Sequence, residues 1–195
     1  MKKSYYENTK NREPHHITQK FINLNIAPGK AIELGCGAGN DTVALIKKGW
    51  HVTAIDSENT QNYITSRLTE KEQKNLTFIQ DDFTKTELSP CTLVVANYSL
   101  PFCHPSKFKN LWKKITNCIF PYGYFVGCFF GINDQWNKEN KPMTFHTKDE
   151  VLNLFKDFEI LHFKEMDEDA VGGNNKMKHW HVFFVIGKKV KTGDN

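Results

Sequence analysis

A short acidic and glycine-rich segment carries the clearest chemical signal in the chain. It reads Glu33-Leu34-Gly35-Cys36-Gly37-Ala38-Gly39 and lies between an apolar run and a helical pattern. Glycines allow a ligand to approach the backbone, and the N-terminus of the following helix presents unpaired N–H groups. Asp56 follows Gly35 after about twenty residues, where a carboxylate can accept both hydroxyls of a ribose. The sequence therefore predicts a site for a nucleotide-like ligand.

The spacing of the glycines bears on which nucleotide this is. The dinucleotide pattern G-x-G-x-x-G requires a small residue at its sixth place. Counting from Gly35 puts Asn40 there, and counting from Gly37 puts Thr42. Glu33 is placed to meet a cationic group rather than a pyrophosphate. The pattern disfavours NAD, although an NAD-linked oxidoreductase stays as an alternative.

Taken together, these motifs resemble those of the class I S-adenosylmethionine-dependent methyltransferases. The family's first motif is similar to the segment from Glu33 to Gly39, and its second acidic position to Asp56. Asp81-Asp82-Phe83 resembles its adenine site, with the choice between the two carboxylates open and Asp82 preferred. Asn97 resembles its fourth motif, and Arg12 is a candidate for the cofactor carboxylate. The cofactor-binding residues that we expect are Arg12, Glu33, Gly35, Cys36 (through its backbone), Gly37, Asp56, Ser57, Asp81, Asp82, Phe83 and Asn97.

Further segments narrow the resemblance. Leu100-Pro101-Phe102, Thr144-Phe145-His146-Thr147 and the segment 178–183 are similar to small bacterial enzymes related to tellurite-resistance and thiopurine methyltransferases. The resemblance covers roughly residues 30 to 186 and implies in-line methyl transfer from S-adenosylmethionine to a small-molecule acceptor, leaving S-adenosylhomocysteine. Neither a metal nor an obligatory nucleophile is expected. For an oxygen or nitrogen acceptor, the candidate bases are Tyr98, His104 and Asp134. A non-catalytic module that binds an adenosyl ligand is the second alternative.

The elements that position these residues follow an alternating order. Short apolar runs alternate with helical patterns from Ala31 to Ile132, which predicts an α/β fold with a parallel sheet. By resemblance, the fold is a Rossmann-like, doubly wound, seven-stranded and mostly parallel sheet, with order 3-2-1-4-5-7-6 and the last strand antiparallel. The predicted strands are 31–34, 50–55, 76–80, 91–96, 124–130, 158–163 and 180–186, with a loop at 167–178.

Helices are predicted from the same periodicity and from capping signals. One helix runs from Asp41 to Lys48, another carries Tyr63, Ile64 and Leu68, and an amphipathic helix lies between Pro105 and Cys118. Thr147-Lys148-Asp149-Glu150 matches a capping box and begins a further helix. Pro121-Tyr122-Gly123 is expected to turn the chain into the fifth strand.

Composition limits the remaining possibilities. The 26 Lys and Arg residues against 22 Asp and Glu residues give a net charge of +4, too weak to indicate nucleic-acid binding. The five cysteines are scattered, which indicates reduced thiols in a cytoplasmic protein. No apolar stretch of ~18 residues predicts a membrane span. We expect one domain over 1–195, with a lid or helix at 1–29 and a flexible tail at 187–195; the sequence determines neither the acceptor nor the oligomeric state.

Overall fold

The fold is built on one mixed sheet. The computed structural model describes residues 2–172 and 176–191, with side chains from Tyr5 onward. The strands lie in the order β3-β2-β1-β4-β5-β8-β7, and the two-residue strand β6 pairs with β5. Only β8 is antiparallel to its neighbours. The predicted order is confirmed, because β6 merely renumbers the last two strands, and the strand bounds are β1 Lys30–Leu34, β2 His51–Asp56, β3 Leu76–Gln80, β4 Cys91–Ala96, β5 Ile119–Gly131, β6 Phe145–His146, β7 Phe158–Val171 and β8 Met177–Lys189.

Helices cover both faces of this sheet. Leu93 and Val95 of β4 face a core shared with the helices before and after β1, whereas Val94 and Ala96 face a second core beneath the helices after β4 and β6. Burial on both faces explains why the central strands are continuous apolar runs. The helices are α1 Lys2–Thr9, α2 His16–Ile22, α3 Asn40–Lys47, α4 Gln61–Thr65, α5 Glu70–Gln73, α6 Pro105–Cys118, α7 Gln135–Lys138 and α8 Lys148–Leu154, with a 3₁₀ turn at Leu100–Phe102. Among the described residues, no helix combines the length and apolar character that a membrane span requires.

Two helix predictions are confirmed in detail. Helix α6 buries Phe108, Leu111 and Ile115. At the start of α8, the Thr147 hydroxyl accepts the Glu150 N–H at 3.2 Å, and the Glu150 carboxylate accepts the Thr147 N–H at 2.7 Å. The helix predicted to extend to Leu68 is instead divided into α4 and α5. A second capping box at Thr69 starts α5 afresh.

The predicted loop at 167–178 is wrong, because most of it is strand. β7 continues to Val171 and β8 begins at Met177, so the two form a long hairpin. The His179 ring nitrogens lie 2.8 Å from Asp167 Oδ1 and 2.8 Å from Asp169 Oδ1 on the neighbouring strand. These cross-strand polar contacts stabilise a ribbon with no apolar face of its own, so its sequence lacks the alternation typical of a strand. The predicted turn residues 173–175 lie outside the described residues.

Two further boundaries differ from the prediction. The tail predicted from residue 187 is wrong at its start, because Gly187 pairs with both Phe125 and Ile160 inside the sheet; residues 192–195 lie outside the described residues. The turn predicted at 121–123 is a bulge within β5, where Tyr122 has a φ of 65°. Cys91 pairs with Ile119 and Leu93 with Tyr124, so the intervening β5 residues bulge out.

Candidate functional site

The glycine loop joins β1 to α3 in a compact, left-handed path. Gly35, Gly37 and Gly39 have φ values of 69°, 54° and 75°, which favour glycine. A Cβ on Gly35 would lie 2.6 Å from the Ser99 Cβ, and one on Gly39 would lie 2.3 Å from the Ile64 Cγ1. A Cβ on Gly37 would meet only the Tyr6 ring, at 3.7 Å. The outer glycines therefore permit close packing, while Gly37 lies on the open side of the loop.

Asp56 lies against this loop at the carboxyl end of β2. Its Oδ2 accepts the Gly37 N–H at 2.8 Å, and its Oδ1 accepts the Glu58 N–H at 3.0 Å. The side chain is 7% exposed. Ser57 is exposed, and its carbonyl accepts the Gln80 amide at 3.4 Å. The fold thus brings the predicted acidic residue to the glycine loop, as the ribose assignment requires.

Two further carboxylates are buried beneath the loop. Glu33 accepts a hydrogen bond from the Thr42 hydroxyl, and burial, followed by the nearby Asp41, raises its pKa well above the ordinary value. Asp41 accepts the His15 N–H at 2.7 Å, and burial raises its pKa as well. Buried carboxylates create a negative potential that suits a cationic ligand group. Sequence reasoning missed Asp41, although an acidic residue in the first turn after a glycine loop was the signal available.

Two polar atoms at the carboxyl end of β4 are buried without a partner among the described residues: Asn97 Oδ1 and Ser99 Oγ. The Asn97 amide nitrogen is satisfied, because it donates to Thr18 Oγ1 and Asp41 Oδ2, each at 2.7 Å. Ser99 is 5% exposed and lies directly against Gly35. Buried polar atoms are rarely left unpaired. The orphaned oxygens therefore fit a ligand with polar groups at this strand end.

The segment predicted to bind adenine follows β3. Asp81 is exposed and accepts the Asp82 N–H at 2.8 Å and the Thr86 hydroxyl at 2.9 Å. Asp82 is partly buried and accepts the Thr84 N–H at 2.9 Å. The Phe83 ring lies 3.7 Å from a Cβ on Gly35. The fold brings Phe83 to the loop, and the choice between Asp81 and Asp82 stays a prediction.

Arg12 and Cys36 differ in how they approach the loop. Arg12 is exposed in the linker between α1 and α2, so its cofactor contact stays a prediction. Cys36 is 6% exposed, and its Sγ lies 3.8 Å from the Thr60 Oγ1. Burial raises the pKa of this thiol well above its ordinary value. A neutral, buried thiol agrees with the predicted packing role of the Cys36 side chain.

Of the three candidate bases, the fold brings two together. Burial, followed by Cys128 and then Asp134, raises the pKa of the Tyr98 hydroxyl, so Asp134 lies near this ring. His104 is placed differently: its ring caps α6, accepting the Ser106 N–H at 3.2 Å. Within the described residues, no group of three or more His, Cys, Asp or Glu side chains is arranged to hold a metal ion.

Asp134 is engaged in a buried ion pair that sequence reasoning missed. It is 0% exposed and accepts a hydrogen bond from the Lys178 ammonium and, at 2.9 Å, from the Trp136 N–H. The Lys178 ammonium also lies 3.9 Å from the Trp136 ring centre and 4.0 Å from that of Trp180. This pairing neutralises the Asp134 carboxylate. Lys178 offered no signal, since it fell within the segment predicted as a loop.

Comparison with known families decides the assignment. The family model described as "Tellurite resistance protein TehB" matches residues 1–180. The chain belongs to the TehB family. The predicted resemblance to methyltransferases of the tellurite-resistance type is thereby confirmed at the level of family.

Solved structures agree with this family at the level of fold. TehB from Haemophilus influenzae superimposes with a TM-score of 0.76 at 18% identity, covering 96% of this chain and 67% of that one. The Burkholderia thailandensis 1,6-didemethyltoxoflavin-N1-methyltransferase, solved with S-adenosylhomocysteine, gives 0.68 at 16% identity, covering 90% and 77%. Carboxy-S-adenosyl-L-methionine synthase from Nautilia profundicola is 32% identical over 122 residues, which is 58% of this chain and 47% of that protein. This chain thus matches about half the length of curated relatives.

Proposed function

We propose that this TehB family member binds S-adenosylmethionine across the carboxyl ends of β1 to β4 and transfers its methyl group to a small-molecule acceptor. One observation carries the proposal: the glycine loop, Asp56 and the orphaned oxygens of Asn97 and Ser99 converge from separate strands. The buried carboxylates of Glu33 and Asp41 support a donor that bears a cationic ammonium and a cationic sulfonium.

The protein's own part in the reaction is to bind, orient and exclude water. When bound, the donor supplies an activated methyl group on a good leaving group. Asp56 would hold the ribose hydroxyls, and Phe83 would pack beside the adenine. Gly37 allows close approach of the ligand to the backbone. Holding donor and acceptor in line supplies most of the rate enhancement that such a transfer needs.

The acceptor side is formed by aromatic residues around Tyr98. Its ring lies 6.0 Å from Phe130 and 5.8 Å from Trp180, centre to centre. With its raised pKa, Tyr98 keeps its proton and serves as a hydrogen-bond donor to the acceptor rather than as a base. Asp134 is already paired with Lys178. These groups favour an acceptor that is itself nucleophilic, such as a thiol or a chalcogen oxyanion, over one that needs deprotonation.

The proposed setting follows from composition and cysteine state. All five cysteines are free and buried, which supports a cytoplasmic location. The weak net charge of +4 supports a small-molecule acceptor rather than nucleic acid.

The deciding experiment is calorimetric titration of the purified protein with S-adenosylhomocysteine, with NADH as the control. We expect micromolar binding of S-adenosylhomocysteine alone. Methyl transfer is then screened by mass spectrometry with a thiol, a halide, tellurite and a small amine. Binding without turnover on any acceptor would favour the non-catalytic module. Binding of NADH alone would favour an oxidoreductase, and binding of neither ligand would refute the donor site.

A further inference from the structure

Helix α1 lies over the open side of the glycine loop. The half-buried Tyr6 ring is the group that a Cβ on Gly37 would meet, at 3.7 Å. On its other side, this ring lies 6.1 Å from the Tyr63 ring, centre to centre. Burial raises the pKa of the Tyr6 hydroxyl, and the carboxylates of Asp56 and Glu58 raise it further. Tyr6 therefore lies beside the carboxylate that we assign to the ribose.

Arg67 joins the end of this helix to the loop. Its guanidinium donates to the Lys10 carbonyl, to the Ala38 carbonyl and, at 2.6 Å, to Asn40 Oδ1. Its Nε donates to the Tyr63 carbonyl at 2.7 Å. One side chain thus holds three segments: the residue after α1, the glycine loop and the first residue of α3. Its planar set of donors suits this bridging role better than a lysine would.

The rest of α1 provides little to hold it in place. Its sequence, from Lys2 to Thr9, is polar apart from two tyrosines, and Tyr5 is 48% exposed. The Asn40 amide donates to the Thr9 carbonyl at 2.9 Å, again at the carboxyl end of the helix. A segment with few buried apolar contacts and hydrogen bonds at one end opens at low free-energy cost.

We infer that α1 is a hinged cover of the donor pocket, in which Tyr6 contacts the bound nucleoside and Arg67 is the positioning residue that holds the cover closed. The inference rests on the proposed function. The ligand enters while α1 is displaced and is enclosed when the Arg67 hydrogen bonds form. Closure excludes water from the donor, and opening releases the product.

The contact of Tyr6 is tested by calorimetric titration of S-adenosylhomocysteine. We expect Tyr6→Ala to raise the Kd about tenfold, as for loss of an aromatic contact, and Tyr6→Phe to raise it by about threefold or less. Tyr5→Ala is the matched control, since it removes the neighbouring exposed ring, and its Kd should equal that of the wild type. Equal Kd values for Tyr6→Ala and Tyr5→Ala would overturn the assignment of Tyr6.

The hinge is tested by limited trypsin digestion, with early cleavage after Lys10 and Arg12 followed by mass spectrometry. In the wild type, S-adenosylhomocysteine should slow this cleavage about tenfold. In Arg67→Gln, saturating ligand should give little protection, and Arg67→Lys should be intermediate. A merely structural arginine would lower the melting temperature yet leave ligand-dependent protection intact, and that result would overturn its positioning role.

The two proposals fail in different ways. If the wild type binds no S-adenosylhomocysteine, the proposed function fails. If it binds the ligand but cleavage after Lys10 and Arg12 is equally fast with and without it, the cover is refuted and the proposed function stands. Should Arg67→Gln fail to fold, the wild-type protection and the Tyr6 variants still decide the question.

Discussion

Asp56 connects two tasks in one side chain. It accepts the Gly37 N–H at 2.8 Å and, in the proposed complex, the ribose hydroxyls. We expect Asp56→Ala to weaken S-adenosylhomocysteine binding by ~1–3 kcal/mol, since charge-assisted hydrogen bonds are lost. Asp56→Asn keeps an acceptor oxygen without the charge and should lie between. Calorimetry measures both variants, and unchanged affinity of the alanine variant would contradict the ribose assignment.

The orphaned hydroxyl of Ser99 predicts an unusual separation of stability from binding. Removing a buried hydroxyl that has no partner costs the ligand-free protein nothing, so Ser99→Ala should keep or slightly raise the melting temperature while weakening S-adenosylhomocysteine binding. Thr144→Val is the control, because this buried hydroxyl donates to the Cys103 carbonyl at 2.7 Å. It should lose ~1 kcal/mol of stability without losing affinity. A lower melting temperature for Ser99→Ala would show that the serine is structural.

The buried Glu33 makes stability depend on pH in a defined direction. Its pKa in the folded protein is raised well above 4.5, so the folded state binds the proton more tightly than the unfolded chain. Its contribution to stability therefore falls as pH rises from about 4.5 towards the folded pKa. Glu33→Gln removes this penalty and still accepts from Thr42. We expect its melting temperature to exceed that of the wild type by more at about pH 8 than at about pH 5; a constant difference would contradict this.

At the scale of elements, local sequence signals hold where the contacts are local. The Thr147 capping box lies within one turn of α8, and Thr147→Ala should lower the free energy of unfolding by about 1 kcal/mol. Thr116→Ala is the comparison, because that exposed hydroxyl bonds only the Lys113 carbonyl in α6, at 3.1 Å. Its effect should be near zero. Urea unfolding distinguishes the two, and equal losses would contradict the importance of the cap.

The hairpin of β7 and β8 shows the opposite case. His179 and the two aspartates flanking its ring are ten or more residues apart in sequence and meet only across the ribbon. The same hairpin delivers Lys178 to Asp134. An element stabilised by such pairs gives no periodic apolar pattern, so the sequence predicted a loop there.

At the scale of the whole molecule, the donor links strands that are distant in sequence. A ligand that binds only the folded state stabilises it by mass action, so S-adenosylhomocysteine at about 100 times its Kd should add about 2.7 kcal/mol to the free energy of unfolding. NADH at the same concentration should add nothing. Thermal unfolding at several ligand concentrations measures the effect. A ligand-independent melting temperature would contradict a donor site in the folded protein.

The sequence by itself determined the α/β order, the strand order through resemblance, the glycine loop and its acidic partner at Asp56. These depend on local signals: apolar runs, glycines at a strand end and a carboxylate at a fixed interval. For the same reason, the caps and the amphipathic face of α6 were predictable. Each of these features is decided by residues close together in the chain.

Only the tertiary structure decided which polar groups are satisfied. It placed Asp41 beneath the loop, left Asn97 Oδ1 and Ser99 Oγ without partners among the described residues, and paired Asp134 with Lys178. It also placed Tyr6 over Gly37. Hydrogen bonding and charge of a buried group depend on neighbours delivered by distant segments, and no spacing rule along one chain encodes those neighbours.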